Sequence, residues 1–317
     1  MLKELKMIPH IIEGKNPRNL GISNLYANKL SPSSYIKESW MKQASWVASV
    51  LNELKVEYVL IKYLDLPYAY MQDIDLLIEK KEDRQVIFSA LREKGFIPYR
   101  SLIPPNPEKI EFVKYEHENQ IQVDIYPEPS WWKISYASTG LISSEMIEKE
   151  ILGTKVYIPS PTHDIYIVIT HSYAHGIITL GELAHVTKLI LNHPIKWSGL
   201  LQLARRYKLE HSIYFYLVLI SGALKDNRIL REIQGASREI NQYLLSRKFQ
   251  GYVSKLFKDN KARFPIKIPN SMRSLSALRE IIIGLWRNEP SFRELTTYYL
   301  LVLEDLFTKH RKVLVIK

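Results

Sequence analysis

The sequence predicts an α+β fold: a small mixed-sheet domain with a helix before it and an all-helical domain after it. Three observations carry that expectation. Apolar periodicity is helical over residues 34–54, switches between strand and helix over 55–158, and is continuously helical beyond 159. Charge divides at the same place, with 20 basic against 21 acidic residues in 1–158 and 24 against 12 in 159–317. With 317 residues, 46% hydrophobic and 24% charged, the chain has globular composition and length enough for two domains.

Each element follows from its residues. Residues 1–30 are punctuated by Pro9, Gly14, Pro17 and Gly21, which predicts an irregular arm. In 34–54, Ile36, Trp40, Ala44, Val47, Val50, Leu51 and Leu54 recur at helical spacing behind a capping Ser33 or Ser34. Residues 56–63 and 73–79 read as strands, 82–94 as a helix stopped by Gly95, and 96–99 as a strand. Pro104, Pro105 and Pro107 mark a surface loop. Residues 110–117 and 120–126 flank a polar turn and predict a hairpin, and 156–158 a last short strand. Helices are then expected over 162–175, 180–191, 198–207, 211–224, 230–245, 249–257, 273–286 and 292–309, with Pro265 and Pro269 interrupting the series. The expected units are 1–54 (arm and helix), 55–158 (mixed sheet) and 159–317 (basic helical).

Composition narrows the chemistry. There is no cysteine, which removes disulfides, thiolate nucleophiles and thiolate zinc sites. The apolar stretch 213–224 is interrupted by Ser221 and Gly222 and falls short of the roughly 20 residues that cross a bilayer. Residues 1–15 mix Lys, Glu and Pro without a signal-type apolar core, so a soluble, cytoplasmic protein with no membrane partner is expected. The segment that begins at Arg205 and ends at Arg273 holds 15 basic and 5 acidic residues, a surface suited to polyanions and phosphorylated ligands.

The most informative segment is Asp73-Ile74-Asp75-Leu76-Leu77-Ile78. Strand alternation puts Ile74, Leu76 and Ile78 on one face and Asp73 with Asp75 on the other, about 6.6 Å apart along the strand. Two carboxylates so placed repel unless a cation lies between them, and all-oxygen ligands suit a hard divalent ion, Mg²⁺ or Mn²⁺. In Ile121-Gln122-Val123-Asp124-Ile125-Tyr126 the same alternation sets Asp124 opposite an apolar face. If the two strands adjoin, three carboxylates can hold two metals about 3.5–4 Å apart, the arrangement of in-line phosphoryl transfer.

The run Leu60-Ile61-Lys62-Tyr63, the D-x-D at Asp73 and Asp75, the helix closed by Gly95-Phe96, and Val123-Asp124-Ile125 together resemble the DNA polymerase beta-like nucleotidyltransferase superfamily. The nearer likeness is to its poorly characterised branch with a helical C-terminal half. It covers about residues 56–190, including Pro159-Ser160-Pro161, where that branch starts a His-containing helix. The resemblance implies that Asp73, Asp75 and Asp124 are the catalytic and metal-binding residues and that a nucleoside triphosphate is substrate. Asp124 would also promote deprotonation of the attacking hydroxyl. It further implies phosphate contacts from Lys62, and from Lys114 beside the strand of Asp124. The family carries Gly followed by Gly or Ser, or Lys followed by Gly, at this strand end; this chain keeps Lys62 but has Tyr63, a side chain able to crowd the phosphates, point away or stack on a base. An Arg expected shortly before the D-x-D is replaced by Met71 and Gln72.

Other features admit two readings each. His171 and His175 stand i, i+4, a zinc-compatible spacing. With no H-E-x-x-H glutamate between them, structural histidines or a role near the nucleotide fit better. Arg206 and His211 resemble the R-x4-H form of HEPN-type ribonucleases, a six-residue pattern that a basic helix end also explains. Trp131 and Trp132, past the third carboxylate, fit core packing or a stacked base. Tyr214, Phe215, Tyr216, Tyr299 and Phe307 read as core. The function expected from all of this is Mg²⁺-dependent transfer of a nucleoside monophosphate to a hydroxyl, with RNA or tRNA held by 205–273 as the first acceptor. The alternative is a degenerate binding module of the same fold.

Overall fold

The computed structural model describes residues 34–63, 73–99, 109–116, 119–131, 134–175, 177–207, 209–224 and 266–267. The expected arm, the proline loop, Trp132, Tyr299, Phe307, most of the basic segment and the helices expected beyond 224 lie outside those residues.

Helix α1 (Ser34–Glu53) is followed by β1 (Val59–Leu60), β2 (Asp73–Leu77), α2 (Lys81–Glu93), β3 (Ile97–Tyr99), β4 (Ile110–Glu116) and β5 (Asn119–Tyr126). The five strands make one mixed sheet in the order β1-β2-β5-β4-β3. Only β2 and β5 run parallel among these neighbours; the other pairs are antiparallel. α2 ends as Gly95 predicts: at φ 84 its N–H donates to Arg92 O, and Phe96 N–H donates to Leu91 O, a Schellman closure.

One sheet face is apolar at its centre. Ile74, Leu76, Val123, Ile125 and Phe112 are all at most 1% exposed, and Phe88 of α2 packs on Phe112 with ring centroids 5.2 Å apart. Each such side chain contributes about 1.5–3 kcal/mol when fully buried, so this face pins the strand register. A slip of one residue in β2 would bury Asp73 and Asp75 in that core.

Beyond the sheet come β6 (Ser130–Trp131), β7 (Ile134–Ser135), the short helix α3 (Thr139–Ser143), and the hairpin β8 (Ile147–Ile151) with β9 (Thr154–Ile158). Sequence reading foresaw only the end of β9. Glu148, Lys149 and Glu150 disguise β8, while Leu152 and Gly153, at φ 48 and 82, make the two-residue turn that pairs it. The expected strand 56–63 is also shorter, because Lys62 turns away at φ 60.

The helices α4 (Pro161–His175), α5 (Leu180–Asn192), α6 (Trp197–Arg206) and α7 (Glu210–Leu224) follow, with the two-stranded ladder β10 (Ile177–Ile178) and β11 (Ile266–Lys267). Pro161 opens α4, where its missing N–H costs nothing, and Thr179 with Glu182 forms a capping box at α5. The apolar cluster is continuous from Trp40 to Ile220 and so crosses residue 158. None of the described helices is long and apolar enough to cross a membrane.

Candidate functional site

The second face of the sheet carries the carboxylates. Parallel pairing of β2 with β5 sets Asp73 opposite Gln122 and Asp75 opposite Asp124. The adjacency on which the metal reading depends is therefore present. One oxygen from each of Asp73, Asp75 and Asp124 lies within 4.8 Å of the others. Asp75 and Asp124 are buried, and Asp73 stands at the open end of the row.

Two lysines face this cluster. Lys62 Nζ is 2.9 Å from Asp75 Oδ2. Lys109 Nζ is 2.6 Å from Asp124 Oδ2 and 2.6 Å from Glu111 Oε1, and it lies over the Tyr126 ring. Gln122 Nε2 donates to Asp124 Oδ1 at 3.0 Å, and Tyr126 Oη donates to Asp124 Oδ2 at 3.4 Å. Asp75 Oδ1 is buried and has no hydrogen-bond partner.

Removing carboxylates from water and crowding them raises their proton affinity. Burial, followed by the charges of Asp75 and Asp124, pushes the Asp73 acid up to about 7. Asp124 is raised too, by burial first and then by Asp75, with Lys109 opposing. For Lys109, burial pulls downward, but the pairing with Asp124 and Glu111 outweighs it and the net shift is upward. The Tyr126 and Tyr136 hydroxyls are raised by burial and then by the Asp75 charge, which keeps them protonated.

Helix α4 brings Asp164, Val168 and His171 to the same side at spacings of four and three residues. His171 Nε2 lies 3.2 Å from Lys62 Nζ, and its Nδ1 lies 3.3 Å from Tyr136 Oη. An ammonium only donates, so His171 Nε2 accepts and Nδ1 carries the proton that is donated to Tyr136. A cavity of about 160 Å³ opens beside the cluster, lined among others by Trp40, Lys62, Asp73, Asp75, His171 and Glu182.

The expected phosphate contacts fare differently. Lys62 reaches the cluster. Tyr63 stacks flat on Trp40, with centroids 5.5 Å apart and planes 8° apart, while Trp40 Nε1 donates to Asp73 O at 3.1 Å. Its ring is thus turned against helix α1. Lys114 is a correction. It shares strand parity with Ile110 and Phe112, so it lies on the opposite face, over the Phe96 ring at 5.5 Å. The lysine beside Asp124 is Lys109, one residue before β4 and in phase with Glu111, which pairs with Asp124. That parity was readable in the sequence, although Lys109 lies just outside the expected strand 110–117.

Among the histidines, His171 meets Lys62 and His185 lies with Asp164; the side chains of His175 and His211 are outside the described residues. Arg206 lies over the Tyr207 ring at 6.0 Å. Trp131 sits in β6, and its side chain is not among those described.

A divalent ion fits this donor set, which offers three carboxylates and an oxygen of Asp75 that no protein donor satisfies. No curated protein matches the chain. Among solved structures, it is similar to the crystal structure of an antigenic nucleotidyltransferase-like protein from Paracoccidioides brasiliensis. That likeness has 15% identity and a TM-score of 0.38, covering 59% of this chain and 93% of the other. The model of a family described as uncharacterised nucleotidyltransferase matches residues 58–224, just over half the chain and the whole of the carboxylate site, and the chain belongs to that family.

Proposed function

We propose that the protein is a nucleotidyltransferase that moves a nucleoside monophosphate from a nucleoside triphosphate to a hydroxyl acceptor. The observation that carries this reading is the register of Asp75 against Asp124 with Asp73 alongside, in a chain of a nucleotidyltransferase family. Asp73, Asp75 and Asp124 would hold Mg²⁺ or Mn²⁺. Bound there, divalent ions would neutralise the phosphate charge and align the attacking and leaving oxygens.

The chain's own residues do the rest. Asp124 promotes removal of the acceptor proton, which its neighbouring carboxylates can share. Lys62 gives its ammonium to a phosphate oxygen. The acceptor oxygen bonds to the α-phosphorus, the bond to the β-phosphate bridge breaks, and pyrophosphate leaves with the electron pair. Most of the rate comes from positioning and charge neutralisation. The basic segment 205–273 makes RNA, tRNA included, the favoured acceptor.

The test is incubation with each α-labelled nucleoside triphosphate and Mg²⁺, with total RNA or a metabolite extract as acceptor. The Asp73→Asn/Asp75→Asn double variant runs alongside. Label transfer by the native protein alone supports the reading, and the size of the labelled product gives the acceptor class. Salt-sensitive RNA binding by both proteins with no transfer by either would make the chain a binding module.

A further inference from the structure

We propose that Asp164 is a positioning residue that fixes Lys62 for the phosphates of the nucleotide; this deepens the nucleotidyltransferase reading and rests on it. Asp164 is fully buried on the first turn of α4 and is not a member of the carboxylate cluster. Its Oδ1 accepts the backbone N–H of Lys62 at 3.2 Å. Its Oδ2 approaches His185 Nε2, on a residue 2% exposed, to 3.2 Å, but the two atoms make no hydrogen bond.

The backbone that Asp164 grips is strained. Lys62 sits at φ 60, a region that residues with a Cβ avoid. It follows directly on the end of strand pairing, where Ile61 N–H donates to Asp75 O. Without an external partner the chain would relax toward extended geometry, and the side chain would swing away from its present direction. Held as it is, Lys62 Nζ lies between Asp75 Oδ2 at 2.9 Å and His171 Nε2 at 3.2 Å.

In the superfamily that the sequence resembles, the strand end before the D-x-D carries Gly followed by Gly or Ser, or Lys followed by Gly. Here the positive φ falls on the lysine itself, and the next residue, Tyr63, is stacked on Trp40. A buried carboxylate is a costly way to fill space that an apolar side chain would fill as well. Its placement on one backbone N–H that is strained and bears the site's lysine gives that cost a purpose.

The experiment compares Asp164→Ala, Asp164→Leu and Asp164→Asn, each alone and on a Lys62→Ala background. Crystal structures report the φ of residue 62 and the distance from Nζ to Asp75. Mn²⁺ titration reads the carboxylates, and transfer kinetics separate KM for the triphosphate from kcat. Asp164→Ala is expected to release Lys62 from positive φ and move Nζ off Asp75. KM should rise about tenfold with Mn²⁺ affinity within about twofold, and the KM effect should vanish on the Lys62→Ala background. Asp164→Asn, which keeps an acceptor for the Lys62 N–H, should restore near-native KM. An unchanged Lys62 conformation in Asp164→Ala overturns the proposal whatever the protein catalyses. So does a KM effect that adds in full to that of Lys62→Ala. If Asp164→Ala does not fold, Asp164→Leu, which fills the space and offers no acceptor, carries the test: it should loosen Lys62 in the same direction, and an undisturbed Lys62 and KM refute the proposal. Absence of transfer by the native protein would count against the function above, while the crystallographic arm still decides the role of Asp164.

Discussion

Replacing Lys109 by Met should reveal how much of the fold's stability rests on the carboxylate face. Lys109 is 11% exposed and pairs at 2.6 Å with both Asp124 and Glu111, whose side chains are 2% and 12% exposed. Lys109→Met keeps the bulk and removes the charge, leaving two carboxylates buried without their cation. Breaking a buried pair from one side costs about 3–5 kcal/mol, and with two acceptors orphaned the loss belongs in the upper half of that range. Urea unfolding at pH 8 with chelator present measures it directly. The pH dependence gives a second check with a fixed sign. Asp124 is already raised above its ordinary value by burial, and without Lys109 it rises further. The folded variant then holds a proton that the unfolded chain releases, so its stability falls as pH rises, and the deficit must be smaller at pH 5 than at pH 8. Saturating Mn²⁺ should return about 2.7 kcal/mol at a hundredfold excess over its dissociation constant. A loss below about 1 kcal/mol, or one indifferent to pH, would refute the pairing of Lys109 with a buried Asp124.

Three further perturbations test neighbouring parts of the account. The Asp73 acid is pushed up to about 7, so a metal must displace its proton below that pH. Mn²⁺ affinity, read by calorimetry, should be nearly flat above pH 8, about tenfold weaker at pH 6 and about a hundredfold weaker at pH 5, with a shallower slope in Asp73→Asn, where Asp124 still carries a raised proton affinity. Because Lys62 sits at φ 60, Lys62→Gly should unfold at higher denaturant than Lys62→Ala by about 1 kcal/mol, although both lose the ammonium. Trp40→Phe keeps an aromatic partner for Tyr63 but removes the donor to Asp73 O; a stability loss of about 1 kcal/mol with weakened Mn²⁺ binding is expected in thermal and metal titrations.

Much of the site was legible because strand alternation is a local rule. Asp73, Asp75 and Asp124 could be placed opposite apolar faces from their immediate neighbours, and the β4–β5 hairpin was visible in its polar turn. Adjacency of β2 and β5 was not, since parallel pairing joins residues about fifty positions apart and leaves no local mark. The same limit hid Asp164, whose hydrogen-bond partner Lys62 lies about a hundred positions away on another element. Sequence reading named Lys114, within the strand, and did not consider Lys109; face parity decides between them, since side chains on opposite faces of one sheet do not meet. The strand β8 was missed because Glu148, Lys149 and Glu150 are all exposed and show no apolar alternation, so only its partner β9 identifies it.

The central claim is that Asp73, Asp75 and Asp124 hold divalent metal beside the triphosphate. Its most direct test is a crystal of the native protein grown with Mn²⁺ and a nucleoside triphosphate analogue that cannot be cleaved between its α- and β-phosphates. The account predicts anomalous density bounded by oxygens of Asp73, Asp75 and Asp124, with Lys62 Nζ on a phosphate oxygen and no such density in Asp75→Asn. Nucleotide bound elsewhere, or Mn²⁺ absent from the three carboxylates at saturating concentration, would contradict it.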